Sequence, residues 1–281
     1  MDALTPTLDL ALQSAQQRIA RLPALPVLDP RLMQVLAERD IDVQYAQLRE
    51  LLRVDPALAA RVLKVANSAF YGSRSITSID RALTVLGALA VAGIAMVARF
   101  DANLSPGTSD AAPFLALRRH SLMTAVAAKA LAGRLESGPW DREAAFVLGL
   151  LHDLGWIVKA QLDRERPLRR EMSQLLPTSA DMSEHALLSA ALFAHWQLPE
   201  QFIEAVRAHH ELPEGGPACV GSALLAVAEQ CAMHGGDDLG KHLRPPDERL
   251  PLGLFRLTAA ELPEFGTQCA AEAAAIDGLV N

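Results

Sequence analysis

An all-α fold is what this sequence predicts, and three observations carry the prediction. Hydrophobic residues make up 51% of the 281 residues but aromatic residues only 5%, so the core has to be aliphatic, and it is rich in the helix formers Ala and Leu. No sustained alternating run of Val, Ile and Thr suggests a sheet. Several segments instead carry apolar residues at helical spacing and close at Gly or Pro.

The length suits one large domain or two modest ones with a substantial core. A formal charge of -7 speaks against a general nucleic-acid surface while leaving room for a local basic patch. Cys219, Cys231 and Cys269 are widely spaced, form no CxxC pair and read as reduced, packed thiols, without a zinc or disulfide framework. The opening MDALTPTLDLALQ has no basic segment followed by an apolar core, so a cytoplasmic location is expected. The longest apolar stretch, residues 85–98, contains Gly87 and Gly93; it is short for a membrane span and suits a buried helix pair.

In chain order, a first helix follows Thr5-Pro6, because proline fits a first helical turn and Leu10, Ile19 and Leu22 are spaced for a partly apolar face. The proline-rich segment LPALPVLDP predicts an extended connection packed through Leu25, Val27 and Leu28. Helices are expected over residues 31–39 and 43–53, with Asp40-Ile41-Asp42 as the cap between them. Asp55-Pro56 is the strongest helix start in the chain, and that helix should run through Leu58, Val62, Val65 and Phe70 to stop near Gly72. Asn67 and Ser68 on it read as a buried pair tying down a neighbouring loop. Ser78 caps residues 79–86, Gly87 ends or kinks that helix, and an apolar run follows to residue 100. Residues 101–113 concentrate Asn, Ser, Pro, Gly and Asp and predict a loop between two halves.

The second half opens with a helix over residues 114–135 carrying His120, broken by Ser137-Gly138-Pro139. The next, AAFVLGLL, is apolar on every face and so reads as buried. Residues 159–171 are charged and read as solvated surface. Helices follow around SEHALLSAALFAHW, from Pro199 to His209-His210-Glu211, over residues 218–233 after Gly215-Gly216-Pro217, and over residues 264–279.

The buried helix leads directly into His152 and Asp153. A carboxylate drawn into the interior needs a cation, a metal or several hydrogen-bond donors. Six of the eight histidines fall between His120 and His210, each on or at the end of an expected helix. Imidazole and carboxylate suit iron, manganese, nickel or zinc, and a carboxylate beside a histidine can bridge two ions. Water on such an ion loses a proton near neutral pH and becomes a nucleophile for phosphoryl groups. His120, His152, Asp153, His185, His209 and His210 are therefore candidate metal ligands. The same spacing also fits histidines that are simply hydrogen-bonded on helical faces. His195, His234 and His242 have no partner pattern and read as structural or exposed.

HSLMTA around His120, AAFVLGLLHDLG around His152-Asp153, EHALLSAALFAHWQLPE around His185 and IEAVRAHHE around His209 resemble the HD superfamily of metal-dependent phosphohydrolases. LPALP, DPALAARVLKVANSAFYG and ITSIDRALTVLG in the first half look like the signature of the HDOD domain, a bacterial signalling module related to HD and HD-GYP domains. The resemblance covers roughly residues 22–233. It implies an N-terminal helical half, 22–109, packed on an HD-like half, 110–234; outside it, helical spacing predicts a helix in 1–21 and a helical extension in 235–281. The resemblance also implies a signal-transduction role by ligand or protein binding around a retained metal site of one or two ions, with a signalling protein or a small nucleotide as partner. No membrane and no direct nucleic-acid contact is expected. The alternative is a metal-dependent phosphohydrolase acting on a nucleotide or cyclic dinucleotide, with Asp153 catalytic.

Three departures from the hydrolytic relatives matter. HDLGW stands where HD-GYP proteins have HDIGK, so Trp156 replaces a phosphate-neutralising Lys. No GYP motif follows His209-His210-Glu211. Glu229 stands where the HD pattern closes with Asp, which makes it a possible additional ligand. Trp156 is expected to fill the core rather than stack on a base.

Overall fold

In the computed structural model, residues 5–19, 30–68, 71, 75–103, 111–136, 138, 140–162, 179–210, 219–237 and 250–280 are described, and none of them forms a strand. The helices are α1 (Thr5–Ile19), α2 (Pro30–Ala37), α3 (Ile41–Val54), α4 (Pro56–Ala66), α5 (Ile79–Leu86), α6 (Ala88–Asn103), α7 (Ala111–Ala132), α8 (Arg142–Leu151), α9 (Gly155–Leu162), α10 (Ser179–His195), α11 (Glu200–Arg207), α12 (Val220–His234) and α13 (Leu262–Val280). A short 3-10 turn, Leu252–Phe255, precedes α13.

The caps sit at the expected residues. Asp40 accepts from the backbone N-H groups of Asp42 and Val43, Asp55 from Leu58 and Ser78 from Arg81, and Asp141, a further cap not foreseen in the sequence, accepts from Glu143 and Ala144. Such a cap contributes about 1 kcal/mol by satisfying donors that the helix cannot. Pro56 occupies the first turn of α4.

Three expectations need correction. α4 ends at Ala66, because the Asn67 amide donates to the Leu63 and Ile76 carbonyls at 2.8 Å each and accepts from the Ile76 N-H at 2.7 Å. The side chain competes with the helix and ties in the next segment, and it does so from an exposed position while Ser68 is buried. α6 runs to Asn103 and α7 begins at Ala111, both inside the expected loop. Lys159, read as solvated, is buried and its ammonium lies 2.5 Å from Glu184 of α10. The 22–29 connection, Phe70, Gly72, the break at 215–217 and the charged stretch from 163 on lie outside the described residues.

α7 is the hub, packing on α8, α12 and α13. α10 lies against α1, α9 and α11, while α6 joins the first half to α8 and also meets α2, α3, α4 and α5. One continuous apolar cluster results, from Leu32 and Leu48 through Val91, Leu131 and Leu148 to Phe255 and Ile276. Each fully buried side chain of this size contributes about 1.5–3 kcal/mol. Among the described residues no single helix is long and apolar enough to cross a membrane. α5 and the first part of α6 reach that composition only together, across a bend of 104°, which agrees with the expected buried pair. The three cysteines are free; burial pushes the Cys231 thiol well up and that of Cys269 up to about 12.

Two close helix approaches set the geometry that matters below. A Cβ on Gly149 would lie 2.7 Å from the Ala125 Cα, so α8 crosses α7 nearly backbone to backbone. A Cβ on Gly155 would lie 1.9 Å from the His185 carbonyl oxygen, so the start of α9 rests directly on α10. Only glycine fits either place.

Candidate metal centre

α8 is buried from Ala144 to Leu151, so the two residues that follow it are carried inside, and both His152 and Asp153 have 0% exposure. A turn over residues 152–154 then starts α9 at Gly155, whose N-H donates to Ser189 Oγ at 2.7 Å. Ser189 lies one turn after His185 on α10, so the contact that seats α9 also seats His185 beside Asp153. The α7–α8 crossing brings in His120, the turn after α11 presents His209 and His210, and α12 contributes Glu229 from within a buried row.

The expected residues converge. Asp153 Oδ1 lies 3.1 Å from His185 Nε2 and 3.9 Å from His209 Nε2, and its Oδ2 lies 3.3 Å from His120 Nε2 and 3.4 Å from His152 Nε2. Glu229 Oε1 is 3.4 Å from His152 Nε2 and 3.5 Å from His209 Nε2. His210 Nε2 is 3.0 Å from His185 Nε2. Three overlapping sets have donor atoms mutually within 4.8 Å: Asp153, His185, His209 and His210; His120, His152 and Asp153; and His152, His209 and Glu229. Asp153 is common to the first two.

Hydrogen bonds on the far side of the rings fix which nitrogen faces inward. His152 Nδ1 is 2.7 Å from the Gly149 carbonyl and His209 Nδ1 is 2.5 Å from that of Val206. A carbonyl only accepts, so each Nδ1 carries the proton and, in the neutral ring, Nε2 is a bare lone pair. His120 Nδ1 is likewise 2.6 Å from Asp237 Oδ2. Yet His120 Nε2 and His152 Nε2 are only 3.2 Å apart. Two lone pairs at that distance repel unless a proton or a metal ion lies between them. Asp153 poses the same demand, since neither of its buried oxygens accepts a hydrogen bond of regular geometry. An inward-facing set of nitrogen and oxygen donors of this kind fits a divalent transition metal.

The electrostatics agree. Burial opposes charge on Asp153, but the neighbouring His152 and the contacts from His120 and His185 hold its carboxyl well below the usual range. Burial also opposes charge on His120, and the carboxylates of Asp153 and Asp237 overcome it, so His120 keeps a proton well above the ordinary imidazole range. His209 is pushed down to about 4, chiefly by burial, and His210 is driven down by burial and by His209. Near neutral pH the cluster thus presents uncharged His209 and His210 beside ionised Asp153. A metal ion can take over the role of the His120 proton.

Trp156 is buried, as expected of a core residue, and stacks on His185 with ring centroids 4.5 Å apart and planes 15° apart. His195 and His234 are exposed, and His242 lies outside the described residues. Asp237 was not foreseen. It sits 117 residues from His120, in a Gly-rich stretch after α12 where no periodicity marks it. Ser189 was missed too, being one small residue on an apolar helix.

The profile of the HDOD domain family matches residues 22–212. Glu229 and Asp237 lie beyond that match. A structure of an HDOD domain protein of unknown function from Geobacter sulfurreducens is similar over 96% of this chain and 98% of its own, with 24% identity and a TM-score of 0.65. A candidate signal transduction protein from Marinobacter aquaeolei VT8 is 19% identical with a TM-score of 0.65, over 98% of this chain and 65% of that one. A candidate phosphohydrolase from Shewanella amazonensis SB2B is 18% identical with a TM-score of 0.59, over 96% and 98%. At these identities the likeness concerns the fold. An uncharacterised protein of Treponema pallidum is 27% identical over an alignment of 206 residues that covers 69% of this chain and 39% of that relative's length.

Proposed function

The chain belongs to the HDOD domain family, and we propose that it is a bacterial signal-transduction module that binds a ligand or a protein partner around a retained metal site. His120, His152, Asp153, His185, His209 and His210 hold the metal, with Glu229 as an additional ligand, and the ion is iron, manganese, nickel or zinc. The unit spans residues 22–234, in halves 22–109 and 110–234, between the flanking segments 1–21 and 235–281.

One observation carries the regulatory reading. The donor set is largely shut off from solvent: His120, His152, Asp153, His185 and His209 have 0% exposure and Glu229 has 2%, and only His210 is partly exposed. Structural metal sites fill their coordination sphere with protein, whereas catalytic sites keep a position open to solvent and substrate. Trp156 adds to this, because an apolar ring covers His185 where hydrolytic relatives place a lysine. In this reading the metal supplies charge that the buried carboxylates of Asp153 and Glu229 require, and the protein residues fix helices α7, α8, α10 and α12 to one point. Partners are a signalling protein or a small nucleotide, met in the cytoplasm.

A second reading, a metal-dependent phosphohydrolase of nucleotides or cyclic dinucleotides, is favoured by Asp153 alone. Its two oxygens face two different histidine sets, as a carboxylate bridging two ions requires. Metal analysis of the purified protein and of Asp153→Ala, with a nucleotide hydrolysis panel on the same samples, separates the two. Bound metal lost in the variant, without turnover, supports the module. Turnover that depends on His152 and Asp153 supports the hydrolase.

A further inference from the structure

We infer that Asp237 is a positioning residue of this centre, so that the turn after α12 becomes part of the metal site. The inference rests on the metal reading above. His120 has 0% exposure and Asp237 3%, and the 2.6 Å contact between Nδ1 and Oδ2 is short and charge-assisted. A carboxylate at Nδ1 fixes the proton there, turns Nε2 toward Asp153 and His152, and makes that nitrogen a stronger donor. His152 and His209 receive the same orientation from backbone carbonyls that belong to their own helices. His120 alone in this trio depends on a side chain from a distant element.

That element is held by the last helix. α12 ends at His234, Gly235 and Gly236 reverse the chain, and the Asp237 N-H donates back to the Ala232 carbonyl at 3.1 Å. Gly235 is gripped from both sides: a Cβ there would lie 2.7 Å from Ala270 Cβ and 2.8 Å from the Gly266 carbonyl of α13, and 2.9 Å from Met123 Cε of α7. Docking of α13 therefore sets where the turn lies, and the turn sets where Asp237 lies. Metal binding and α13 docking are linked, and each strengthens the other by the same factor.

The test uses the full chain and the metals themselves. Zn²⁺ and Mn²⁺ affinities are measured by chelator competition for the wild type, Asp237→Asn, Asp237→Glu and Asp237→Ala, with the visible spectrum of the Co²⁺-loaded forms and thermal unfolding in EDTA alongside. Asp237→Asn and Asp237→Ala should bind about 10–100-fold more weakly. Asp237→Glu should regain part of that loss, and the Co²⁺ spectrum should shift in Asp237→Asn. Unchanged affinity and spectrum in Asp237→Asn, even with a lower unfolding temperature in EDTA, would show a purely structural ion pair and overturn the inference while leaving the metal reading intact. A wild type that binds none of the three ions, and neither Fe²⁺ nor Ni²⁺, overturns both. If the variants do not fold, hydrogen exchange of the wild type decides: metal should slow the amides of residues 235–237 and of α13, and no slowing there sinks the inference.

Discussion

Asp153 combines full burial, ionisation and four imidazole nitrogens within 3.9 Å, which makes it the residue whose removal says most. Asp153→Ala should abolish metal binding and, in the metal-free protein, cost about 3 kcal/mol, because it leaves the His120 cation with one buried partner fewer. Denaturant unfolding in EDTA reads that cost. The histidines also give a pH dependence. His209 protonates at about 4 in the fold but at about 6.5 when unfolded, so between those values the unfolded chain binds the extra proton and stability falls with falling pH. His210, lowered as well, acts in the same direction. His120, raised, contributes stability that is already fully present below 6.5 and is lost only as pH rises through its folded value. Metal-free protein should be less stable at pH 5 than at pH 7 by about 2 kcal/mol from His209 alone. Equal stability at the two values would contradict the burial of an uncharged imidazole. At this scale the sequence is informative about groups set into an apolar run, as His152-Asp153 is, or clustered, as His209-His210 is. Asp237 was illegible because it reaches the site through a turn held by a helix not yet placed.

The elements followed local chemistry at the caps Asp40, Asp55 and Ser78, but not at Pro113, which lies inside the first turn of α7. Asp55-Pro56 and Ser78 start their helices as read. The end of α4 was misjudged because apolar spacing continues to Phe70 while the Asn67 side chain takes the backbone elsewhere. Gly155 tests whether the α9–α10 seat positions His185. Gly155→Ala puts a methyl group into the His185 carbonyl, and the required shift should cost about 3 kcal/mol and weaken metal affinity together. A variant that loses stability but holds metal as tightly would show that the seat does not govern His185. Alkylation of the folded protein at pH 8 should spare Cys231 and Cys269, whose thiols burial holds neutral, and peptide mass analysis would reveal their modification.

Across the whole molecule, α7 lies between the C-terminal helices and α8, and α6 continues the same core into the first half. A ligand that bridges α7, α8, α10 and α12 therefore stabilises much of the fold at once. At a metal concentration 100 times its Kd the gain should be about 2.7 kcal/mol, visible as a higher unfolding temperature that EDTA reverses. The all-helical architecture was legible from composition and spacing, because aliphatic helices need little else. The packing order was not, because the close approaches at Gly149 and Gly155 depend on which helix lies opposite. The central claim, a largely buried transition-metal site in regulatory use, is tested most directly by the metal content of the purified protein beside Asp153→Ala, with nucleotide hydrolysis followed on the same samples. One or two equivalents of iron, manganese, nickel or zinc in the wild type, none in the variant and no turnover in either is the predicted result. Metal-free wild-type protein after expression with added iron or manganese, or hydrolysis that requires His152 and Asp153, would contradict it.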